Sequence, residues 1–341
     1  MKRDMRLWLE TLQSAARKKP LPILSFPAAE LLGVTVREMI SDSELQARGM
    51  QAVAERTDAA AAVSFMDLSV EAECFGAEVI LHGDEIPTVK ERILKTPEDA
   101  DALRIPSVES GRAPIYVDAV RKASQRIWDR PVLAGMIGPY SLAARLFDVS
   151  EIMMYCYDEP DAVHAVLEKT TAFLIEYAKA YRAAGANGIL LAEPVAGLLS
   201  PALEEEFSSP YVKRIVDAVQ DEEFLLIYHN CGGNVPRMLP SLLKTGAAAF
   251  HFGNSVDLKR DILEKMPRDV LVMGNLDPVD VLRNGTPDGV REATLALLEE
   301  CAPFENFVLS SGCDMPAKTP WENVDAFFGA AAEFYGAQGK D

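Results

Sequence analysis

The chain is predicted to fold as a single (β/α)8 barrel, an α/β architecture in which eight parallel strands alternate with helices. Three observations carry this expectation. Eight short apolar runs recur along the sequence, and none alternates between apolar and polar residues. Such runs suit strands buried on both faces of a parallel sheet. A longer amphipathic stretch separates each run from the next, as strand–helix units require. Polar residues able to bind a metal or substrate then cluster directly after the runs, on the one rim where barrel active sites assemble.

The elements follow in order. The N-terminus, MKRDMRLWLETLQ, has basic residues but no apolar core, so it reads as a helical extension rather than a secretory signal. Strands are expected at 22–26 (PILSF), 62–66 (AVSFM), 132–136 (VLAGM) and 188–192 (GILLA), then at 224–228 (FLLIY), 247–250 (AAAF), 270–273 (VLVM) and 307–309 (FVL). An insertion after the second carries a strand-like piece at 77–81 and a turn at His82-Gly83-Asp84. Positions 163, 166, 167, 173, 174 and 177 are apolar and spaced for one face of a helix over 161–183. Ser200-Pro201 with Glu204 reads as an N-cap, a first-turn proline and an acid at the positive helix end. Thr286-Pro287-Asp288 and Thr319-Pro320-Trp321-Glu322 repeat that device. The alternative is a doubly wound open sheet, but no GxGxxG follows the first strand. One domain is expected to span residues 1–341.

Composition excludes several classes. Of 341 residues, 49% are hydrophobic and 25% charged, ordinary for a globular protein. No apolar run reaches the ~20 residues of a membrane span. The net charge of −18 argues against nucleic acid or an anionic membrane as partner, since both call for a basic face. Five scattered cysteines are an odd number and form no disulfide framework, which favours a reducing, cytoplasmic compartment.

The residues at the strand ends suggest the chemistry. Tyr228-His229-Asn230-Cys231-Gly232-Gly233 brings an imidazole and a thiol two positions apart after the fifth strand, so both can face the same side. Cys313 follows the eighth strand, and a closed barrel brings it round to the same mouth. Two cysteines and a histidine form a soft donor set suited to zinc; two buried, unreactive cysteines and a loop histidine are the alternative. Glu193, directly after the fourth strand, is the candidate fourth ligand and a candidate catalytic group; capping a helix is its bland alternative. Asp67 is a second catalytic candidate, with backbone capping as its alternative. Asn275 and Asp277 are candidate cofactor-binding residues, although residues at such turns more often cap the backbone. His251, between two phenylalanines, reads as packed; Cys74, Cys156 and Cys301 read as structural, and His82 and His164 as turn and helix-surface residues. No GxSxG, P-loop or HExxH motif occurs.

The order of further motifs resembles the uroporphyrinogen decarboxylase superfamily from about residue 60 onward. These are Asp67-Leu68 with Glu71-Ala72 and Phe75-Gly76, Gly135-Met136-Ile137-Gly138-Pro139-Tyr140, Ala184-Gly185-Ala186, Pro210-Tyr211 and Gly274-Asn275-Leu276-Asp277-Pro278. The resemblance independently implies one (β/α)8 barrel. The decarboxylases bind substrate propionates through arginines of an N-terminal segment, but the corresponding 20–33 (PLPILSFPAAELLG) has none. The other branch, the cobamide-dependent methyltransferases typified by methylcobamide:coenzyme M methyltransferase, carries a His-x-Cys…Cys zinc signature. His229, Cys231 and Cys313 match it, and 319–324 (TPWENV) is similar as well.

The resemblance therefore implies a cytoplasmic enzyme that moves a methyl group between a corrinoid, carried by a separate corrinoid protein, and a zinc-activated thiol such as coenzyme M. A decarboxylase-type lyase and a non-catalytic corrinoid-protein binder are the alternatives. A sulfonate-bearing thiol would call for a basic residue at the mouth, and the sequence alone does not locate one.

Overall fold

The computed structural model describes residues 2–338. Among them run strands β1 (Ala62–Val63), β2 (Val79–Ile80), β3 (Thr88–Val89), β4 (Val132–Ile137) and β5 (Gly188–Ala192). They continue with β6 (Leu225–Asn230), β7 (Ala249–Phe252), β8 (Leu271–Leu276) and β9 (Phe307–Ser311). Seven of them form one curled parallel sheet in the order β1-β4-β5-β6-β7-β8-β9. Helices connect the strands, the longest being Pro160–Ala183, which covers the helix expected over 161–183. This is the predicted barrel architecture with one strand replaced.

The replaced element is the first. Residues 22–26 do not join the ladder, because Pro20 and Pro22 have no N–H to donate. The segment still bridges the gap between the sheet edges. The carbonyl of Pro20 accepts from Ala60 N at 2.8 Å, and Leu21 N donates to the Leu309 carbonyl at 2.9 Å. Farther along, Ile23 N donates to Ser311 Oγ at 3.1 Å.

Side-chain parity divides the sheet into two buried faces. Val63, Leu133, Leu190, Leu225, Ile227, Ala249, Leu271, Met273 and Val308 pack together inside the barrel. Their neighbours Val132, Ile189, Leu191, Leu226, Tyr228, Phe250, Val272 and Phe307 pack outward with the helices. Both parities are apolar because both faces are covered, which explains the absence of alternation in the sequence.

The two ends of the barrel differ. At the N-terminal end of the strands, the helix Met5–Ser14 starts on Asp4, whose carboxylate accepts from Leu7 N at 2.8 Å. Met5 and Leu12 from this helix join the interior cluster and floor the barrel. At the other end, the insertion forms an antiparallel hairpin of β2 and β3, pairing Val79 with Val89 and Ile80 with Thr88. No helix among the described residues is long and apolar enough to cross a membrane.

Candidate metal centre

Strand parity puts the first two candidate ligands in register. On β6 the inward positions are Leu225 and Ile227, and the next steps of two are His229 and Cys231. Cys313 arrives from the turn after β9. One ligand atom from each of His229, Cys231 and Cys313 lies within 4.8 Å of the others. Cys313 Sγ is 3.6 Å from His229 Nε2. A tetrahedral zinc with Zn–S bonds of about 2.3 Å would hold two sulfurs about 3.8 Å apart, so the cluster needs little adjustment to accept one. A hydrogen bond from the Cys313 thiol lowers the pKa of Cys231 to about 4, and His229 acts in the same direction. The pair thus readily offers at least one thiolate, as metal binding demands.

Close backbone contacts shape the turn. Asn230 Oδ1 accepts from Gly232 N at 2.9 Å. A Cβ on Gly232 would lie 2.5 Å from Gly197 Cα, so two glycines are needed where these loops touch. A Cβ on Gly253 would lie 2.6 Å from Cys231 Cα. Gly233 has open space around its Cα, so of the Gly232-Gly233 pair only the first is sterically required.

Sequence reasoning missed His251. It is the register partner of His229 across β6 and β7, and it continues the inward parity of Ala249. A chain of hydrogen bonds assigns its tautomer. Ser310 Oγ donates to the Leu21 carbonyl at 2.7 Å, which leaves its oxygen to accept from His251 Nε2–H at 2.7 Å. Burial holds the His251 ring well below the usual histidine pKa, and the nearby His229 adds to the effect, so the ring is neutral and its Nδ1 is an acceptor. His229 Nδ1–H then donates to His251 Nδ1 at 2.8 Å and also faces the His251 carbonyl at 3.3 Å. These bonds leave Nε2, 3.6 Å from Cys313 Sγ, as the ring nitrogen of His229 that faces the cluster. The signal available in sequence was the parity of His251 with Ala249, but recognising it required the register between strands.

The other expected site residues lie elsewhere. Glu193 is one position out of phase with the inward Ala192, so its side chain leaves the barrel interior. Its carboxylate accepts from Tyr140 N and Ser141 N, each at 2.9 Å, and from Ser141 Oγ at 2.6 Å, capping the helix Pro139–Phe147. The structure does not bring it to the three ligands. Asp67 accepts from Arg112, from Tyr116 Oη at 2.7 Å and from Ser69 Oγ at 2.6 Å, a buried ionic network rather than a free carboxylate. Asn275 donates to the Gly253 and Val256 carbonyls, both at 2.9 Å. Asp277 caps the next helical turn through Val279 N and Asp280 N, both at 2.8 Å. Both fix their loops through these hydrogen bonds. Cys74, Cys156 and Cys301 are buried and free.

The three ligands open into a cavity of about 250 Å³. Ile23, Met66, Ile86 and Val89 make its walls largely apolar, and Arg145 adds a cation. Ile86 and Val89 come from the hairpin insertion, which therefore forms part of the wall. Gly135 makes room for Met66, whose sulfur would lie 2.3 Å from a Cβ at that position.

Residues 23–334 of this parallel barrel match the uroporphyrinogen decarboxylase (URO-D) family, and the chain belongs to it. Among its relatives is the methylcobamide:CoM methyltransferase MtbA of Methanosarcina mazei, 30% identical over 339 residues, covering 95% of this chain and 97% of the relative. The MtbA protein of Methanosarcina acetivorans is 31% identical over 275 residues, covering 79% and 78%. A solved methyltransferase structure from Methanosarcina mazei superposes with a TM-score of 0.84 at 25% identity, covering 98% of this chain and 99% of that one.

Proposed function

We propose that this protein is a zinc-dependent methyltransferase that moves a methyl group between a corrinoid and a small thiol. The observation that carries the reading is the convergence of His229, Cys231 and Cys313 at one mouth, with His229 Nε2 facing the cluster. These three residues would hold the ion. Glu193 is committed to a helix end, so the fourth position falls to water or to the thiol. Zinc, when bound, keeps a coordinated thiol deprotonated and nucleophilic near neutral pH.

The chain's own groups do the rest. Ser310 and His251 fix the His229 ring through their hydrogen bonds. Cys231 holds negative charge at the mouth, supported by a hydrogen bond from the Cys313 thiol, whose own pKa that thiolate and burial push up. Met66, Ile86 and Val89 exclude water around the reacting sulfur. A cavity of about 250 Å³ accommodates a short thiol but not a corrin ring, so the corrinoid must present its methyl group from outside, most simply on a separate corrinoid protein. The same volume and the arginine-free segment 20–33 disfavour a decarboxylase acting on a tetrapyrrole.

The test is elemental analysis of reduced protein together with a methylcobalamin-to-thiol assay, followed anaerobically as Co(I) forms. About one zinc per chain and thiol-dependent Co(I) formation are expected. Protein that refolds zinc-free and binds none on titration would overturn the reading.

A further inference from the structure

The two cysteines reach the cluster on separate turns, Cys231 after β6 and Cys313 after β9. Gly253-Asn254, directly after β7, lies between those turns. Gly253 N donates to the Asn230 carbonyl at 3.2 Å, and a Cβ on Gly253 would lie 2.6 Å from both Cα and Cβ of Cys231. On the other side, a Cβ on Gly312 would lie 2.7 Å from both the backbone nitrogen and Oδ1 of Asn254. Cys313 is the next residue along. Two residues thus press on both cysteine-bearing turns, and a shift of this spacer would move one sulfur relative to the other.

Asn275, buried near the end of β8, holds the spacer. Its Nδ2 donates to the carbonyls of Gly253 and Val256, both at 2.9 Å, and so ties down both ends of the loop 253–256. Asp277 adds a third tie, its Oδ2 accepting from Asn254 Nδ2 at 2.7 Å. Two carbonyls can be served at once only by an NH2 group, so a carboxylate of the same shape cannot replace this amide. Without it, two carbonyls lose their partner, and the loop shifts to recover one. Asn306 makes the same clamp at the opposite end of the same strand pair. It sits directly before β9, and its Nδ2 donates to the carbonyls of Pro267 and Val270, just before β8, at 3.1 and 2.9 Å. Each end of the β8–β9 pair thus carries one asparagine clamp, and that of Asn275 stands beside the cysteines.

We infer that Asn275 sets the separation of the Cys231 and Cys313 sulfurs by clamping Gly253-Asn254 between their turns, which makes it a positioning residue of the metal centre. The metal half of this statement rests on the zinc reading proposed above; the spacing half rests on the loop geometry alone. A tetrahedral ion with Zn–S bonds of about 2.3 Å accepts two sulfurs only at one separation, so a loosened spacer costs affinity.

Asn275→Ala, Asn275→Asp, Asn254→Ala and the control Asn306→Ala test it, each compared with wild type. Competition against a chelator reads zinc affinity, and the sulfur-to-metal charge-transfer band of the cobalt(II)-substituted protein reads ligand geometry. In reduced, metal-free protein, dibromobimane, which fluoresces on bridging two thiols, reads the spacing of Cys231 and Cys313. Both Asn275 variants should lose about 10-fold or more in zinc affinity, as removal of outer support for a metal site does, with a shifted cobalt band and slower bridging. Asn254→Ala removes one tie at an exposed position and should lose less in the same direction; if the Asn275 variants do not fold, it decides alone. Asn306→Ala gives up as many carbonyl partners and should match wild type in all three readouts. Affinity, band and bridging unchanged in the Asn275 variants, or equal losses in Asn306→Ala, would overturn the inference. Bridging that depends on Asn275 in a protein that takes up no zinc would sink the zinc reading and leave the spacing role standing. Zinc binding indifferent to Asn275 would do the reverse.

Discussion

The Nδ1 atoms of His229 and His251 lie 2.8 Å apart, and only one proton fits between them. That proton belongs to His229, because the carbonyl of His251 also accepts from the same nitrogen and carbonyls cannot donate. His251→Ala should therefore free the His229 ring to turn and weaken metal binding by about 10- to 100-fold, the usual effect of losing an outer partner of a ligating histidine. Competition against a chelator measures it. Wild-type affinity in this variant would show that the ring is held by packing alone. Ser310→Ala, one bond farther out, should have a smaller effect in the same direction.

Cysteine substitutions separate ligands from core. Cys231→Ser and Cys313→Ser should each lose most bound zinc while the melting profile still shows a cooperative fold. Cys74→Ala, Cys156→Ala and Cys301→Ala should retain zinc, because all three side chains are buried away from the cluster. Their cost is one of packing, about 1–3 kcal/mol. Zinc loss in Cys301→Ala, or full zinc in Cys231→Ser, contradicts the assignment.

Glu193 offers a prediction of opposite character. Its carboxylate satisfies two backbone N–H groups at the start of the helix Pro139–Phe147. Glu193→Ala should destabilise the fold by about 2–4 kcal/mol, because buried donors are left without an acceptor, and should keep its zinc. Denaturant unfolding and metal analysis on the same sample decide between a cap and a ligand. Metal loss without destabilisation would restore Glu193 as a ligand.

The parities of Glu193 and His251 mark what the sequence could and could not tell. Seven of the eight strands were legible, because a parallel sheet covered on both faces leaves a plain apolar run. His229, Cys231 and Cys313 were legible because each follows such a run. Segment 20–26 has the same apolar character, but its prolines cannot donate to a ladder, so it fills the slot without becoming a strand. Whether a residue after a strand points inward depends on counting steps of two from a known interior position. Glu193 fails that count from Ala192, and His251 passes it from Ala249. Arg145 was out of reach altogether, since it joins the cavity from a helix and carries no motif.

Glu71 gives a pH test independent of the metal. It is buried, its Oε1 accepts from Ile137 N at 3.1 Å, and its Oε2 has no partner. Burial pushes its pKa up to about 8. In the unfolded chain a glutamate titrates near 4.3, so the folded state holds the extra proton in between. The stability this contributes is fully present below about pH 4.3 and is lost as pH rises through about 8, at up to about 1.4 kcal/mol per pH unit. Glu71→Gln removes the titration while retaining a neutral side chain of similar size. The difference in unfolding free energy between wild type and variant should therefore change across that window in the variant's favour as pH rises. A constant difference from pH 5 to 8 would mean that Glu71 is already ionised.

The packed interior of the barrel has a kinetic consequence. Leu190, Ile227, Ala249 and Met273 fill the barrel interior below the site, with Met5 and Leu12 beneath them, so what reaches the three ligands comes through the mouth. If a bulky methyl carrier docks over that opening, a thiol cannot slip in afterwards, and its methylated product cannot leave until the carrier departs. Methyl transfer at this site would then have a compulsory order, with the small partner first in and last out, imposed by a barrel whose interior is packed solid behind the ligands.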